Sequence, residues 1–390
     1  MNFQEDITTR AKLHDTAGND KALWLRPTLS HKAKQDTYGW ICGNPVVSTL
    51  QEWPHINDKP YDFLCQINCS LIPKKIWKGL APRKGWLSIF FHPTSETHPF
   101  HTKIIYSSKW GEEIKPPNSY VPPSLRHLSE KFPEYKFTNT PWELEAFTPK
   151  FENGEAVRAS YMQREPFHDD DFLLSNPRNQ PTDWDEMELL LNDAHNIFEK
   201  NFGSWTQYKE ELEAIEKPSD HERRNLEFFS NWVAHAPIYM ENLRSQLHNI
   251  RITKQTSQFD TQLWSQFYSW FDEIMTPRFG SWHWGYQSVR KERTKYKLST
   301  NPHLVPSAVK DYFNAIWTYE FERTVFQIGG GPAGFSSSFF DNALTNMFLL
   351  NASTSKVHGL DFHGSSLNVS MPITGFTMKK FGKVNSDISN

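Results

Sequence analysis

The spacing of apolar residues changes twice along this chain, and that change limits what it can fold into. Phe63, Cys65, Ile67 and Cys69 alternate with Leu64, Gln66 and Asn68, the period of two expected of a strand. Residues 86–91 and 103–106 read as further strands, each bounded by Pro, Gly, Ser or Thr, and the stretch from Lys115 to Pro149 is proline-rich with short extended pieces. From about Asp183 the step lengthens. Trp184, Met187, Leu191, Ala194 and Phe198 recur at three and four residues, which marks an amphipathic helix. Ser219 and Glu222 have capping-box spacing before Leu226, Phe229 and Val233. Pro237 suits a first turn better than a helix interior, so a new helix is expected there, carrying Met240, Leu243, Leu247 and Ile250. Leu263, Phe267, Trp270 or Phe271, and Ile274 form the next stripe, and Val309, Phe313, Ile316 and Trp317 the last. Strand character returns at 324–328, 346–350 and 367–373. The pattern predicts an α+β chain, mainly antiparallel sheet, with a large helical insertion. The expected divisions are an N-terminal lead-in over 1–37, a first β-rich part over 38–170, helices over 171–323 and a second β-rich part over 324–390.

Composition narrows the function classes. Aromatic residues make up 15% of the chain, which favours a packed fold over disorder. The formal net charge of −3 favours neither nucleic acid nor an anionic membrane as partner. No basic start leads into an apolar run, and no stretch approaches the ~20 apolar residues of a membrane span, so a cytoplasmic protein is expected. Three cysteines, Cys42, Cys65 and Cys69, fit a reducing compartment. Cys65 and Cys69 on an extended strand lie roughly 13 Å apart, beyond disulfide reach, and are expected to be core thiols.

Gly43-Asn-Pro45, Glu52-Trp53-Pro54, Pro60, Phe63-Leu-Cys-Gln-Ile-Asn68, Gly85, Leu87, Phe90 and Phe91 follow one another in an order that resembles the YwqG-like family, bacterial domains of unknown function. Near the other end, 327–334 resembles that family's Gly-Pro loop, and 348–384 its closing strand, turn and strand, with Gly359-Leu-Asp361 at the turn. The helical middle has no counterpart in the resemblance. It implies an α+β YwqG-like domain dominated by antiparallel sheet and brings no catalytic residues. It also implies a place among proteins that neutralise bacterial toxins as immunity partners.

Chemistry-bearing clusters are few. His92, Glu96, His98 and His101 have the residue types of a zinc site, but two prolines interrupt the run and an exposed loop explains it as well. His358, Asp361 and His363 resemble an acid/base group, yet Asp361 suits a turn. Gly329-Gly-Gly-Pro-Ala-Gly334 lacks the lysine of a phosphate-binding loop and reads as a tight turn. No nucleophile elbow or His-Glu-x-x-His run occurs. No metal or cofactor is expected.

Two charged stretches remain. Residues 183–216 hold ten acidic and two basic residues, and 277–298 hold six basic and one acidic with aromatics interleaved. Solvated helix faces account for most such runs. As a function, an acidic helix can oppose a basic toxin surface, whereas a basic aromatic loop can stack bases. The sequence therefore predicts a non-catalytic protein-binding chain, an immunity protein against a cognate toxin. Asp183, Asp185, Glu186, Glu188, Trp205, Tyr208, Glu210, Glu211 and Glu213 would form the surface, with Trp282, Trp284, Tyr286 and Arg290 as a second candidate. The alternatives are a hydrolytic or metal-dependent enzyme using the His/Asp groups, and a nucleic-acid-binding module.

Overall fold

The structure is a computed structural model that describes residues 22–30, 36–48, 52–80, 82–92, 101–133, 135–149, 151–152, 155–156, 172–275, 284–331, 346–362, 366–382 and 384–389. The chain divides into two compact units. The first comprises Met1–Pro166, Lys295–Pro302 and Asn314–Asn390, and the second Phe167–Thr294 and His303–Phe313.

The strands are Ala22–Pro27 (β1), Gly39–Ile41 (β2), Val46–Val47 (β3), His55–Ile56 (β4), Lys59–Pro60 (β5), Asp62–Asn68 (β6), Trp86–His92 (β7), His101–Ser107 (β8), Glu112–Glu113 (β9), Trp142–Phe147 (β10), Phe151–Glu152 (β11), Glu155–Ala156 (β12), Phe326–Gly329 (β13), Asn346–Ser353 (β14), Ser366–Pro372 (β15) and Asn385–Ser389 (β16). Helices follow as Arg126–Lys131 (α1), Trp184–Glu213 (α2), Asp220–Thr253 (α3), Ser265–Met275 (α4), Trp284–Thr300 (α5), Ser307–Phe321 (α6) and Ile373–Thr377 (α7).

Ten strands form one antiparallel sheet in the order β16-β15-β14-β13-β1-β10-β2-β6-β7-β8. Strands from both ends of the chain thus share one sheet, and β16 lies against β8, so the sheet nearly closes on itself. The fold is α+β, as the alternating patterns predict. Residues 22–27, within the stretch expected to be a lead-in, form β1, which sits between β10 and β13. Six residues of modest alternation carry little local signal; the hydrogen bonds from both neighbours make them a strand.

The register shows why the sheet curls. Directly paired residues share a face. Ile388, Leu367, Ala352, Phe326, Leu25 and Ala146 form one such row. Trp142, Ile41, Cys65, Ile89 and Ile104 continue it. This inner face is mostly apolar, with Asp62 and Thr102 beside Phe91 and Ser386 beside Val369 as exceptions. The outer face differs between the halves. Trp40, Trp86, Phe63, Phe90 and Ile105 pack there with Val46, Val47, Trp53, Ile114 and Tyr120 into an aromatic core. On β13 to β15 the same face carries Gln327, Asn351 and Asn368, all buried, with Asn351 donating to Asn368 at 2.9 Å. Because both faces of β6 are covered, all seven of its residues are buried, where strict alternation alone suggests a half-exposed strand. Its Gln66 is kept inside by two bonds of 2.7 Å, to the N–H and the C=O of Val46. Cys42, Cys65 and Cys69 are buried, and the Cys42 thiol donates to the Val357 carbonyl at 3.3 Å.

In the second unit α2 and α3 form an antiparallel pair. Met187, Leu191, Ala194 and Phe198 of α2 face Trp232, Ala236, Leu243, Leu247 and Ile250 of α3 as the buried stripes. Ser219 and Glu222 make the reciprocal capping box, at 3.3 and 2.6 Å. Pro237 does not start a helix; α3 runs through it. The ring lies on the exposed side, and the apolar stripe continues on both sides of it, so packing outweighs the ~3 kcal/mol that an interior proline costs. Leu263 is 78% exposed and lies before α4, in a turn capped by Asp260, and Tyr268, Phe271 and Ile274 carry the burial instead. Among the described residues no helix is long and apolar enough to cross a membrane.

Candidate functional site

The acidic residues of α2 separate into two groups. At the start of the helix, Asp183 is the N-cap, and its carboxylate accepts from the N–H of Glu186 at 2.8 Å. Carboxylates belong there because the first helical N–H groups lack partners. Arg293 lies 3.3 Å from Asp183 and 3.0 Å from Asp185. Glu186 is fully buried. Its Oε2 accepts from the N–H and hydroxyl of Thr182 at 2.8 and 2.9 Å and lies 3.4 Å from Nε of buried Arg290. Arg290 also donates to the carbonyls of Arg178 and Gln180. Glu186 therefore presents no charge to solvent; it holds 178–182 in place through Arg290. Glu188 takes Arg251 at 2.9 Å and Lys254 at 2.7 Å, tying α2 to α3. Burial pushes its carboxyl up, but Lys254 and Arg251 outweigh that and hold it below its ordinary value.

The other end of α2 is different. Glu210, Glu211 and Glu213 are exposed. Glu211 accepts from Gln207 at 2.9 Å and Glu213 pairs with Lys209 at 2.8 Å, both on the same helix. Aromatic rings line this end of the pair. Tyr208 meets Phe229 edge-on at 4.9 Å, Phe229 meets Phe228 at 5.1 Å, and Phe228 meets Trp232 at 6.3 Å. Trp205 packs on Trp232 at 5.4 Å. Tyr208 and Phe228 remain 41% and 43% exposed. The structure thus gathers Tyr208, Trp205 and the three glutamates. It adds Phe229, which the apolar spacing assigns only to a buried stripe, and Phe228, which that spacing leaves unassigned. The usable signal was the doubled Phe, since adjacent residues on a helix cannot share one buried face.

The second candidate surface is not assembled as expected. Tyr286 and Arg290 are fully buried. The Tyr286 N–H donates to buried Asp193 at 3.0 Å, so a carboxylate from α2 caps the start of α5. Trp282 lies outside the described residues, and Trp284 is the first residue of α5.

The histidine groups show no shared chemistry. His92 and His101 are cross-strand partners on β7 and β8, while Glu96 and His98 lie outside the described residues. His358 is buried with both nitrogens engaged, Nε2 to the Ser353 carbonyl at 3.0 Å and Nδ1 to the Leu360 N–H at 3.1 Å. Burial lowers its pKa to about 4, so the ring is neutral and structural. Asp361 accepts from the Thr354 hydroxyl at 3.4 Å, and His363 lies outside the described residues. Among the described residues no group of three or more His, Cys, Asp or Glu has the geometry of a metal site. Gly329 and Gly330 have φ of +70° and +76°, and Gln327 donates to the carbonyls of Gly329 and Gly331 at 3.0 and 2.6 Å, so this part of the glycine run is a tight turn.

One buried carboxylate that the sequence did not single out is Asp62, which takes Arg126 and the Tyr120 hydroxyl. The same hydroxyl accepts from the Phe63 N–H at 3.4 Å. These groups anchor the segment from Tyr120 to Arg126 on β6. Burial raises the Asp62 pKa against the lowering effect of Arg126.

The model of a family described as a domain of unknown function, DUF1963, matches residues 40–273. The chain belongs to this DUF1963 family. The YwqG-like resemblance agrees with it, since the YwqG-like family is a DUF1963 family. The DUF1963 match extends beyond the β-rich phrase into α2, α3 and α4, and it ends before the strands that begin at Phe326. No curated protein matches the chain.

Proposed function

We propose that this DUF1963 protein is a non-catalytic, cytoplasmic binding protein, an immunity protein that neutralises a cognate bacterial toxin by direct contact. We place specificity in α2 and α3, which lie within the DUF1963 match, since function resides in particular sites carried by a fold and not in the fold itself. The observation that carries the reading is the free end of the α2–α3 pair, where half-exposed Tyr208 and Phe228 stand beside exposed Glu210, Glu211 and Glu213. Aromatic anchors dominate interface energies, and a ring of carboxylates speeds encounter with a basic partner. Asp183, Asp185, Glu186 and Glu188 serve this surface indirectly, by holding the helices through Arg293, Arg290, Arg251 and Lys254. A role for His358 as base or ligand is disfavoured by the engagement of both its nitrogens.

The test is partner capture from the source cell, followed by protection of cells expressing the captured toxin. Reversal of Glu210, Glu211 and Glu213 to Lys should slow association and flatten its salt dependence. Tyr208→Ala should cost about 2 kcal/mol of affinity if the ring is a central anchor. Capture and protection unchanged in both variants would remove this surface from the interface.

A further inference from the structure

A second surface, in the first unit, has the geometry of a peptide-binding edge. The ribbon β3–β9 pairs Val46 with Glu113 and Val47 with Glu112. Ile114 N–H donates to the Pro45 carbonyl at 2.8 Å. Both backbone groups of Val46 are taken by Gln66, so they point away from β9. In an antiparallel ladder, the two members of such a pair both turn their N–H and C=O outward. Glu113 therefore directs its own N–H and C=O to the far edge of β9. Among the described residues no strand other than β3 pairs with β9. The Gln66 amide occupies one edge of the ribbon as a strand would, and among the described residues no strand takes the other edge.

Glu112 and Glu113 of β9 also line a groove of about 760 Å³, together with Val47, Glu52, Trp53 and Lys115, among others. The volume lies within the range of ligand sites, which is about 300–1,000 Å³. The Trp53 ring is fixed as part of the wall: its Nε1 donates to the Tyr61 carbonyl at 2.8 Å, and it packs on Phe90 and Tyr120 at 5.3 and 5.0 Å. Glu52, Glu112 and Glu113 are exposed against one exposed lysine, Lys115. The neighbouring depression shares Glu52 and adds Lys103 and Lys379, so the excess of acidic residues belongs to the first groove. Gly111 keeps the ribbon closed. A Cβ there would lie 1.8 Å from the Val47 carbonyl oxygen, so only glycine allows β9 to approach β3 this closely.

From the outward backbone of Glu113, the acidic lining and the apolar wall, we infer that this groove binds an extended, basic peptide segment, which adds to β9 as a third strand and sets a lysine or arginine beside Glu52 and Glu112. Main-chain bonds supply the common part of such recognition and the side chains the selectivity. Charged side chains on an edge can also serve only to repel other strands, and the experiment separates the two roles.

The probes are a short synthetic peptide alternating lysine and valine, the same peptide with glutamate for lysine, the lysine peptide N-methylated on alternate backbone nitrogens, and spermidine. Binding is followed by calorimetry and by the amide NMR signals of residues 111–115 in the full chain. The lysine peptide should bind and shift Glu113. The glutamate and N-methylated peptides, and the Glu52→Lys, Glu112→Lys double variant, should each bind about tenfold more weakly or worse. Circular dichroism of the variant should match the parent, since both side chains are exposed. No shift with the lysine peptide at millimolar concentration would mean a purely protective edge and would overturn the inference. Equal binding of the N-methylated peptide or of spermidine would also overturn it, by reducing the site to general cation attraction.

Discussion

The first turns and the last turns of α2 are both rich in carboxylates, and the two groups do different work. Asp183, Asp185, Glu186 and Glu188 are each met by an arginine or lysine from another helix. Glu211 and Glu213 meet only neighbours on α2 itself, and Glu210 forms no ion pair among the described residues. The difference follows from what the chain brings alongside. The first turns have α5 and the end of α3 within reach, whereas the last turns lie towards the start of α3, where Arg223 pairs with Asp220 of its own helix. Similar residue types thus become internal struts at one end and a solvent-facing charge at the other.

Stability measurements sharpen this contrast, beginning where the loss should be greatest. Glu186→Ala leaves Arg290 buried without its counter-charge and should cost about 3–5 kcal/mol in urea unfolding. A loss below about 1 kcal/mol would mean that Arg290 is satisfied by the carbonyls of Arg178 and Gln180 alone, and the strut reading would fail. Asp183→Ala removes the N-cap of α2 and should cost about 1 kcal/mol, and Asp183→Asn, which still caps, should recover most of it. Glu188→Gln should have a smaller and pH-dependent effect. The folded carboxyl lies below its ordinary value of 4.5, so its contribution is present above that value and is lost as pH falls through the folded pKa. The side chains of Arg251 and Lys254 are substantially exposed, which limits the loss at neutral pH to about 1 kcal/mol or less. Parent and variant stabilities should converge on acidification below pH 4.5; a constant gap would place the effect in packing. Reversal of Glu210, Glu211 and Glu213 to Lys should move stability least, within about 0.5 kcal/mol. A larger loss would show that the free end is also structural.

Much of the fold was legible because the periods are strong. The stripes of α2 and of α3 beyond Pro237, the capping box at Ser219, and β6, β7, β14 and β15 lie where the apolar spacing puts them. The misplacements share a cause. β1 is weakly patterned and depends on its two neighbours, and Pro237 stays inside α3 because the packed stripe continues past it. Leu263 fell out of its stripe because the turn after Asp260 resets the helical phase. The site was less legible still. A run of acidic residues looks uniform in sequence, and nothing local distinguishes Glu186, 0% exposed, from Glu211 on the surface. Phe228 and Phe229 were visible only as apolar residues, and Asp62 meets Tyr120 and Arg126 across some sixty residues of chain.

By itself, the sequence determined the alternation of β-rich ends and helical middle, the buried thiols of Cys65 and Cys69, and the family phrase from Gly43 to Phe91. These depend on neighbours a few residues apart, within one element, where spacing alone sets which side chains share a face. Only the tertiary structure decided that both ends contribute to one nearly closed sheet, that Gln66 fills one edge of β3 while no described strand takes the far edge of β9, and which carboxylates of α2 are spent on internal arginines. Each of those outcomes depends on partners far away in sequence, and the physical reason is common to all: the cost of burying a charge or a backbone polar group is set by what lies within hydrogen-bond distance of it, not by its neighbours along the chain.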